Sequence, residues 1–158
     1  MKRQRVYLDT SVINFLFADD APDFKAATVD FFENHSIRFE LHVSAEVALE
    51  IRRCPDAVKR KRLEGVLVQF PILLLPGREN QEVLRLAQVY FEKGALPRGK
   101  FADALHVASA TVHEMDILLS WNFKHLANLN REERIQRVNQ SEGYPRPLRL
   151  VSPLMLRG

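Results

Sequence analysis

Residues 5–17, Arg-Val-Tyr-Leu-Asp-Thr-Ser-Val-Ile-Asn-Phe-Leu-Phe, change from a short strand pattern over 5–8 to an apolar helical pattern over 10–17. The same alternation continues along the chain. Further strands are predicted over 38–43, 72–75, 117–120 and 148–151, and the continuous apolar run 72–75 predicts a buried strand. Helices are predicted over 22–34, 44–53, 56–70, 80–93, 99–115 and 123–140. Strands separated by helices predict an α/β/α sandwich of three layers, with a central, mainly parallel sheet of four to five strands.

Length and composition limit the class of protein. The chain has 158 residues, which fits a single domain over 1–158. Its only cysteine, Cys54, excludes an intrachain disulfide and a cysteine-based zinc site. The six glycines form no phosphate-binding motif, and no apolar run is long enough to span a membrane. We therefore expect a cytoplasmic protein that is not bound to a membrane.

Polar residues stand where three of the predicted strands end. Asp9, Thr10 and Ser11 follow the first strand, Ser44 precedes the helix that carries Glu46 and Glu50, and Ser120 and Asn122 end the fourth strand. In a parallel sheet, ligands bind beyond the carboxyl ends of the strands. These positions are therefore the first candidates for a functional site, with helix capping and turn formation as the structural alternatives.

Two acidic residues in the first third of the chain have competing explanations. Asp9 suits a helix cap as well as it suits a ligand. Glu50 lies at the edge of an apolar stripe, where a carboxylate needs a partner, and a neighbouring arginine is the structural alternative to a metal. Glu46 lies in the first helical turn, where a favourable interaction with the helix dipole is a sufficient explanation.

A third acid lies in the most apolar predicted helix. Asp103 is the only acidic residue between Lys93 and Glu114, and it is followed one turn later by His106. A dipole interaction explains Asp103, and a hydrogen-bonded core position explains His106. The alternative is that His106 orients Asp103 by a hydrogen bond. Three inward carboxylates at one sheet edge would repel one another, and a hard divalent cation would relieve that repulsion.

In these motifs the sequence resembles the PIN-domain family, and within it the VapC-type toxins of toxin–antitoxin pairs. The matching motifs are Tyr7-Leu8-Asp9-Thr10-Ser11, the segment from Ser44 to Glu50, Asp103-Ala-Leu-His-Val-Ala, and Ser120-Trp-Asn-Phe-Lys-His125. The match extends over about residues 5–151. By its spacing from Ser44, Glu50 and not Glu46 corresponds to the family's second acid.

The resemblance implies a PIN-like sandwich and a Mg²⁺- or Mn²⁺-dependent endoribonuclease that leaves a 3′-hydroxyl and a 5′-phosphate. Asp9, Glu50 and Asp103 would hold the metal, and Asn122 would complete the catalytic set. Supporting roles near the metal or the substrate fall to Thr10, Ser11, Ser120 and His125. The resemblance also implies a homodimer that a cognate antitoxin protein silences. Many family members carry an acid where this chain has Asn122 or His125, so it lacks a fourth carboxylate for a second metal.

Other classes of function remain open at this point. The missing fourth acid would also fit a PIN-fold module with weak or no catalysis that acts by binding RNA or protein. A phosphotransfer domain with Asp9 as nucleophile ranks lower, because Ser11 stands where a second acid is needed. A zinc hydrolase built on His106 and His113 ranks lowest, because no third ligand follows at a suitable spacing.

Charge is unevenly distributed along the chain. Residues 1–50 contain nine acids and five bases, whereas residues 51–158 contain eleven acids and eighteen bases. The densest basic cluster consists of Arg52, Arg53, Lys59, Arg60, Lys61 and Arg62. This cluster predicts a contact with the RNA backbone, and a solvated helix face is its structural alternative. Trp121 could stack on a base, but core packing is favoured for it.

Overall fold

The computed structural model of the protein describes residues 2–97, 101–122 and 126–156. The strands in these ranges are β1 (Gln4–Leu8), β2 (Phe39–Ser44), β3 (Ile72–Leu75), β4 (Ile117–Leu119) and β5 (Arg149–Val151). The α-helices are α1 (Thr10–Asn14), α2 (Pro22–Asp30), α3 (Ala45–Arg52), α4 (Ala57–Gln69), α5 (Gln81–Glu92), α6 (Phe101–Val112) and α7 (Leu129–Ser141).

The five strands form one parallel sheet in the order β3-β2-β1-β4-β5. The chain first moves outward from β1 to β3 and then crosses to β4 on the other side of β1. With right-handed crossovers, this reversal places α1–α4 on one face of the sheet and α5–α7 on the other. The predicted three-layer sandwich with a parallel sheet is thus confirmed. The reversal also opens a crevice between the carboxyl ends of β1 and β4.

The predicted helices are present, with shifts at their ends. Ser44 caps α3 as predicted, since its Oγ accepts a hydrogen bond from the Glu46 N–H at 3.1 Å. The predicted helix over 22–34 changes at Phe31 into a π-helical turn, Phe31–His35. The helix predicted from residue 123 begins at Leu129, because Asn128 caps it by accepting from the Arg131 N–H at 2.8 Å. Residues 123–125 lie outside the described part.

The segment 72–75 is a strand as predicted, but its expected burial is wrong. β3 pairs only with β2 and forms an edge of the sheet. Leu73 and Leu74 are therefore 52% and 66% exposed, respectively. A continuous apolar run is typical of a strand whose two faces are both covered by helices. Here the same kind of run forms an edge strand, and two of its leucines stay exposed.

Trp121 belongs to the core, as the sequence analysis favours. Its side chain is buried, packs against Phe15 and Phe24, and donates from Nε1 to Thr28 Oγ1 at 2.8 Å. This packing attaches the turn after β4 to α2.

Of the helices in the described ranges, none has the length and apolar character needed to cross a membrane.

A buried polar cluster holds α6 against its neighbouring helices. The Tyr90 hydroxyl of α5 donates to Asn139 Oδ1 of α7 at 2.6 Å, and Asn139 Nδ2 donates to Thr111 Oγ1 of α6 at 3.1 Å. All three residues are buried. Because α6 carries Asp103 and His106, this cluster fixes the depth and rotation of a helix that is central to the candidate site.

We expect Asn139→Ala to lower the free energy of unfolding by about 1–3 kcal/mol, since it removes the two buried hydrogen bonds that Asn139 makes and leaves the hydroxyl groups of Tyr90 and Thr111 bonded to each other. Urea unfolding measures the change. The matched control is Gln140→Ala at the next, exposed position of α7, which should stay within about 0.5 kcal/mol of wild type. Equal losses in the two variants would contradict a structural role for the cluster.

Candidate functional site

Asp9 lies directly after β1, at the crevice between β1 and β4. Its backbone N–H donates to Leu119 O at 3.0 Å, and its side chain is 8% exposed. Although Asp9 occupies the residue before α1, its carboxylate makes no capping hydrogen bond to that helix. Oδ2 instead accepts hydrogen bonds from Ser11 Oγ at 2.9 Å and Ser120 Oγ at 2.7 Å. Asp9 therefore holds the N-cap position of α1, but its carboxylate is bound by the two serines and does not cap the helix through a side-chain hydrogen bond.

Ser11 and Ser120 connect Asp9 to the turn that follows β4. Ser11 Oγ accepts a hydrogen bond from the Trp121 N–H at 3.0 Å, and Ser120 Oγ accepts one from the Asn122 N–H at 2.9 Å. Each serine thus donates its proton to the carboxylate and accepts from the backbone. Both hydroxyl groups therefore bind Oδ2 of Asp9, whereas Oδ1 faces His106 Nε2 at 3.5 Å.

His106 of α6 connects the acidic residues. Its Nε2 lies 2.7 Å from Glu50 Oε1 and 3.5 Å from Asp9 Oδ1, and its Nδ1 lies 2.6 Å from the Tyr7 hydroxyl. The imidazole is buried, so it is a hydrogen-bonded core histidine. The partner of His106 is Glu50, however, and not Asp103 as the sequence allowed. Glu50 is likewise paired with this histidine and not with an adjacent arginine.

Electrostatics favour a protonated His106. Burial by itself lowers the pKa of an imidazole, but the hydrogen bond to Glu50 and the charges of Asp9, Glu50 and Asp103 outweigh it and raise the pKa of His106 to about 9. Burial raises the pKa of Glu50, whereas the hydrogen bond and charge of His106 bring it below its usual value. His106 therefore supplies the positive charge among these carboxylates.

The protonated ring also determines the direction of the hydrogen bonds behind it. With a proton on Nδ1, His106 donates to the Tyr7 oxygen, and Tyr7 donates in turn to Ser44 Oγ at 2.7 Å. Burial raises the pKa of Tyr7 well above 10, so its hydroxyl keeps its proton. The sequence analysis missed Tyr7, because in a strand its alternation marks only a core position.

Asp103 and Asn122 meet on the opposite side of the cluster. Asp103 lies in the first turn of α6, and Asn122 Nδ2 is 3.5 Å from Asp103 Oδ2. The charge of Asp103 contributes to the raised pKa of His106, so it belongs to the same cluster. Thr10 is buried next to Asp9. His125 lies outside the described residues, so its predicted role stays a prediction.

The donor set fits a hard divalent cation, since Asp9, Glu50, Asp103 and Asn122 offer carboxylate and amide oxygens only. As positioned, no three His, Cys, Asp or Glu side chains within the described ranges are grouped so that they could hold a metal ion. The described geometry accounts for this, since the His106 ring occupies the space between Glu50 and Asp9 and already compensates their charge.

The predicted basic cluster lies outside this arrangement. Arg52 and Arg53 are exposed at the end of α3, and Lys59, Lys61 and Arg62 are exposed on α4. Arg60 is half-buried and donates from Nη1 to Cys54 O at 2.9 Å, so it also stabilises the connection between the two helices. The structure does not bring these cations into contact with Asp9, Glu50 or Asp103, and their role in RNA binding stays a prediction.

Glu46 has a stronger interaction than the helix dipole explains. It is 3% exposed and accepts two hydrogen bonds from the guanidinium of Arg78, from Nε at 2.8 Å and from Nη2 at 3.1 Å. These hydrogen bonds hold the pKa of Glu46 below its usual value. The sequence analysis missed Arg78. Its position three residues after the strand 72–75, near the carboxyl ends of the strands, is the signal that could have identified it.

Comparison with known proteins places the chain in context. The family model for the PIN domain matches residues 6–129. VapBC2 from Rickettsia felis, in a structure with a DNA fragment from its promoter, aligns with a TM-score of 0.56 and 17% identity over 77% of this chain and 90% of that chain. FitAcB from Neisseria gonorrhoeae aligns with a TM-score of 0.54 and 15% identity over 94% and 98%, respectively. No curated protein matches. At these identities the two structures show a shared fold.

The hydroxyl of Tyr7 generates a prediction on stability. Tyr7→Phe removes the group between His106 Nδ1 and Ser44 Oγ, and leaves a buried N–H without an acceptor. We expect the free energy of unfolding to fall by about 1–3 kcal/mol in urea titrations. Tyr144→Phe, which removes a half-buried hydroxyl that bonds to Glu82, serves as the control and should lower it less than Tyr7→Phe does. A Tyr7→Phe protein as stable as wild type would rule out this hydrogen-bond chain.

Proposed function

Because this chain belongs to the PIN-domain family, whose members are generally nucleases, we propose that it is a Mg²⁺- or Mn²⁺-dependent endoribonuclease. The observation that carries the proposal is the placement of Asp9. Its carboxylate is buried at the switch point of the sheet, is held by Ser11 and Ser120, and makes no capping hydrogen bond to α1. Glu50 and Asp103 act on the same histidine, so three acids share one cluster.

Each residue of the cluster has a role that its contacts support. Asp9, Glu50 and Asp103 would hold the metal, and Asn122 would orient the substrate or a water molecule through its amide. When bound, the metal lowers the pKa of a water molecule and stabilises charge on the phosphate. Ser11 and Ser120 fix the orientation of Asp9, and Thr10 packs beside it. His106 keeps Glu50 and Asp9 apart and compensates their charge while no metal is bound.

The substrate and partners extend the same proposal. RNA is a polyanion, and the exposed cations of α4 offer it a path outside the acidic cluster. Structures that share the fold are named VapBC2 and FitAcB, and we propose that this chain likewise is the VapC-like toxin of a toxin–antitoxin pair. It would act in the cytoplasm as a homodimer of single-domain chains, inhibited by its own antitoxin protein.

The first prediction concerns cleavage. We expect the purified protein to cut RNA in Mn²⁺ and not in EDTA, and Asp9→Asn and Asp103→Asn each to lower the rate about a thousandfold or more, because each removes several kcal/mol of transition-state stabilisation. Gel analysis of end-labelled RNA measures the rates. The matched control is Asp23→Asn, an exposed aspartate in the first turn of α2, which should cut at the wild-type rate. Undiminished cleavage by Asp9→Asn would contradict the assignment.

A binding module without catalysis is the second candidate, and two observations favour it. Asn122 stands where many relatives have an acid, and within the described residues no group of acids is arranged to hold a metal as it stands. Such a module would bind RNA or a protein partner through the same fold and would gain little from a divalent ion.

Metal-dependent stability separates the two candidates. For the nuclease, Mn²⁺ at a hundred times its Kd should stabilise the protein by about 2.7 kcal/mol, and Glu50→Gln should reduce the gain at the same concentration. Thermal unfolding with and without Mn²⁺ measures it, with Glu64→Gln on the exposed side of α4 as the control. A wild-type protein whose Tm does not respond to Mn²⁺ would favour the binding module.

A further inference from the structure

The two side chains of the Glu46–Arg78 ion pair differ strongly in their exposure to solvent. Glu46 Oε1 accepts from Arg78 Nε at 2.8 Å and from its backbone N–H at 3.3 Å, and Oε2 accepts from Nη2 at 3.1 Å. The Glu46 side chain is 4% exposed, whereas that of Arg78 is 52% exposed. A guanidinium group has five N–H donors, so this pair leaves three of them outside it.

The loop that carries Arg78 is built for this contact. A Cβ atom at Gly77 would lie 3.0 Å from Glu46 Cγ and 3.3 Å from the Glu46 backbone nitrogen, so glycine gives the loop a close approach to α3 and a larger residue would have to displace its neighbours by a few tenths of an ångström. On the other side, Ser109 Oγ of α6 donates to Pro76 O at 2.9 Å. The loop 76–78 is therefore attached to both helices that supply acids to the candidate site.

The pair also lies close to that site. Leu75 pairs with Ser44 at the carboxyl edge of the sheet, so the loop begins beside the start of α3. Glu46 precedes Glu50 by one helical turn, which separates their Cβ atoms by about 6 Å. The hydrogen bonds from Arg78 lower the pKa of Glu46, and the charge of His106 in the site adds to that lowering. Arg78 thus places an exposed positive charge beside Glu46, one helical turn from Glu50.

We propose that Arg78 binds a phosphate group of the RNA beside the cleavage site and that Glu46 is its positioning residue. The inference rests on the proposed ribonuclease function. The carboxylates of the site repel a polyanion, and the half-exposed Arg78 beside Glu46 offers that polyanion N–H donors and positive charge. Because Glu46 already fixes the guanidinium, the group loses little freedom when a phosphate oxygen accepts its remaining N–H donors.

The test is the salt dependence of RNA binding in an Asp103→Asn background that does not cut the probe. A fluorescein-labelled, unstructured RNA oligonucleotide is titrated at fixed Mg²⁺ and varied KCl, and the slope of log affinity against log salt is measured. Each phosphate contact of a single strand contributes about 0.7 to the slope. We expect Arg78→Gln to weaken binding and flatten the slope by about 0.7, and Arg78→Lys to keep the slope while binding less tightly than arginine.

Two further variants keep the test independent of stability. The double variant Glu46→Gln and Arg78→Gln leaves no buried charge unpaired and should show the same flattened slope. The matched control is Arg146→Gln. Arg146 is 50% exposed and is paired with Asp116, which directly precedes β4 and so lies at the amino ends of the strands, away from the candidate site. It should leave the slope unchanged.

The outcomes distinguish the two levels of the proposal. If the parent protein binds RNA and the double variant keeps its slope, Arg78 contacts no phosphate and the inference fails while the ribonuclease proposal stands. The inference also fails if Arg146→Gln flattens the slope equally, because that is a general charge effect. A parent protein that binds no RNA at all contradicts the proposed function itself, and the inference with it.

Discussion

A buried imidazole between two carboxylates is the interaction on which the arrangement of the site depends. His106 joins α6 to Glu50 of α3, to Asp9 after β1 and to Tyr7 within β1. Removing one partner of a buried charged pair typically costs about 3–5 kcal/mol, because the remaining charge is left without compensation. The two layers of helices are therefore coupled electrostatically across the end of the sheet. The Tyr90–Asn139–Thr111 cluster adds to this by holding α6 at the depth that the histidine requires.

Much of the fold was predictable because its local signals agree with its tertiary packing. The alternation of strand and helix patterns identifies all five strands, and Ser44 marks the start of α3 as a capping residue should. The errors lie where local pattern carries no information. Burial of β3 depends on whether helices reach the sheet edge, and the start of α7 depends on Asn128, whose capping role the apolar pattern upstream of it concealed.

The candidate site was predictable residue by residue but not contact by contact. Strand ends identify Asp9 and Ser120, and a carboxylate among apolar residues identifies Glu50 and Asp103. The partners of these acids come from distant parts of the chain, since His106 lies 56 residues from Glu50 and Arg78 lies 32 residues from Glu46. Helical periodicity places a residue on a face but does not say which charge that face meets. For this reason the sequence attributes Glu46 to the helix dipole, and it offers Asp103 as the alternative partner of a core His106.

The order of the strands has a consequence during synthesis. β1 is made first but lies between β2 and β4, so the crevice beside Asp9 does not exist until β4 has paired with β1. Ser120, which holds Asp9, follows it by 111 residues. Contacts this far apart in sequence form late, because the intervening chain must first be ordered. A ribosome translating this protein therefore finishes most of the chain before the acidic cluster is assembled. Until then, the acidic residues of the nascent chain are not held together.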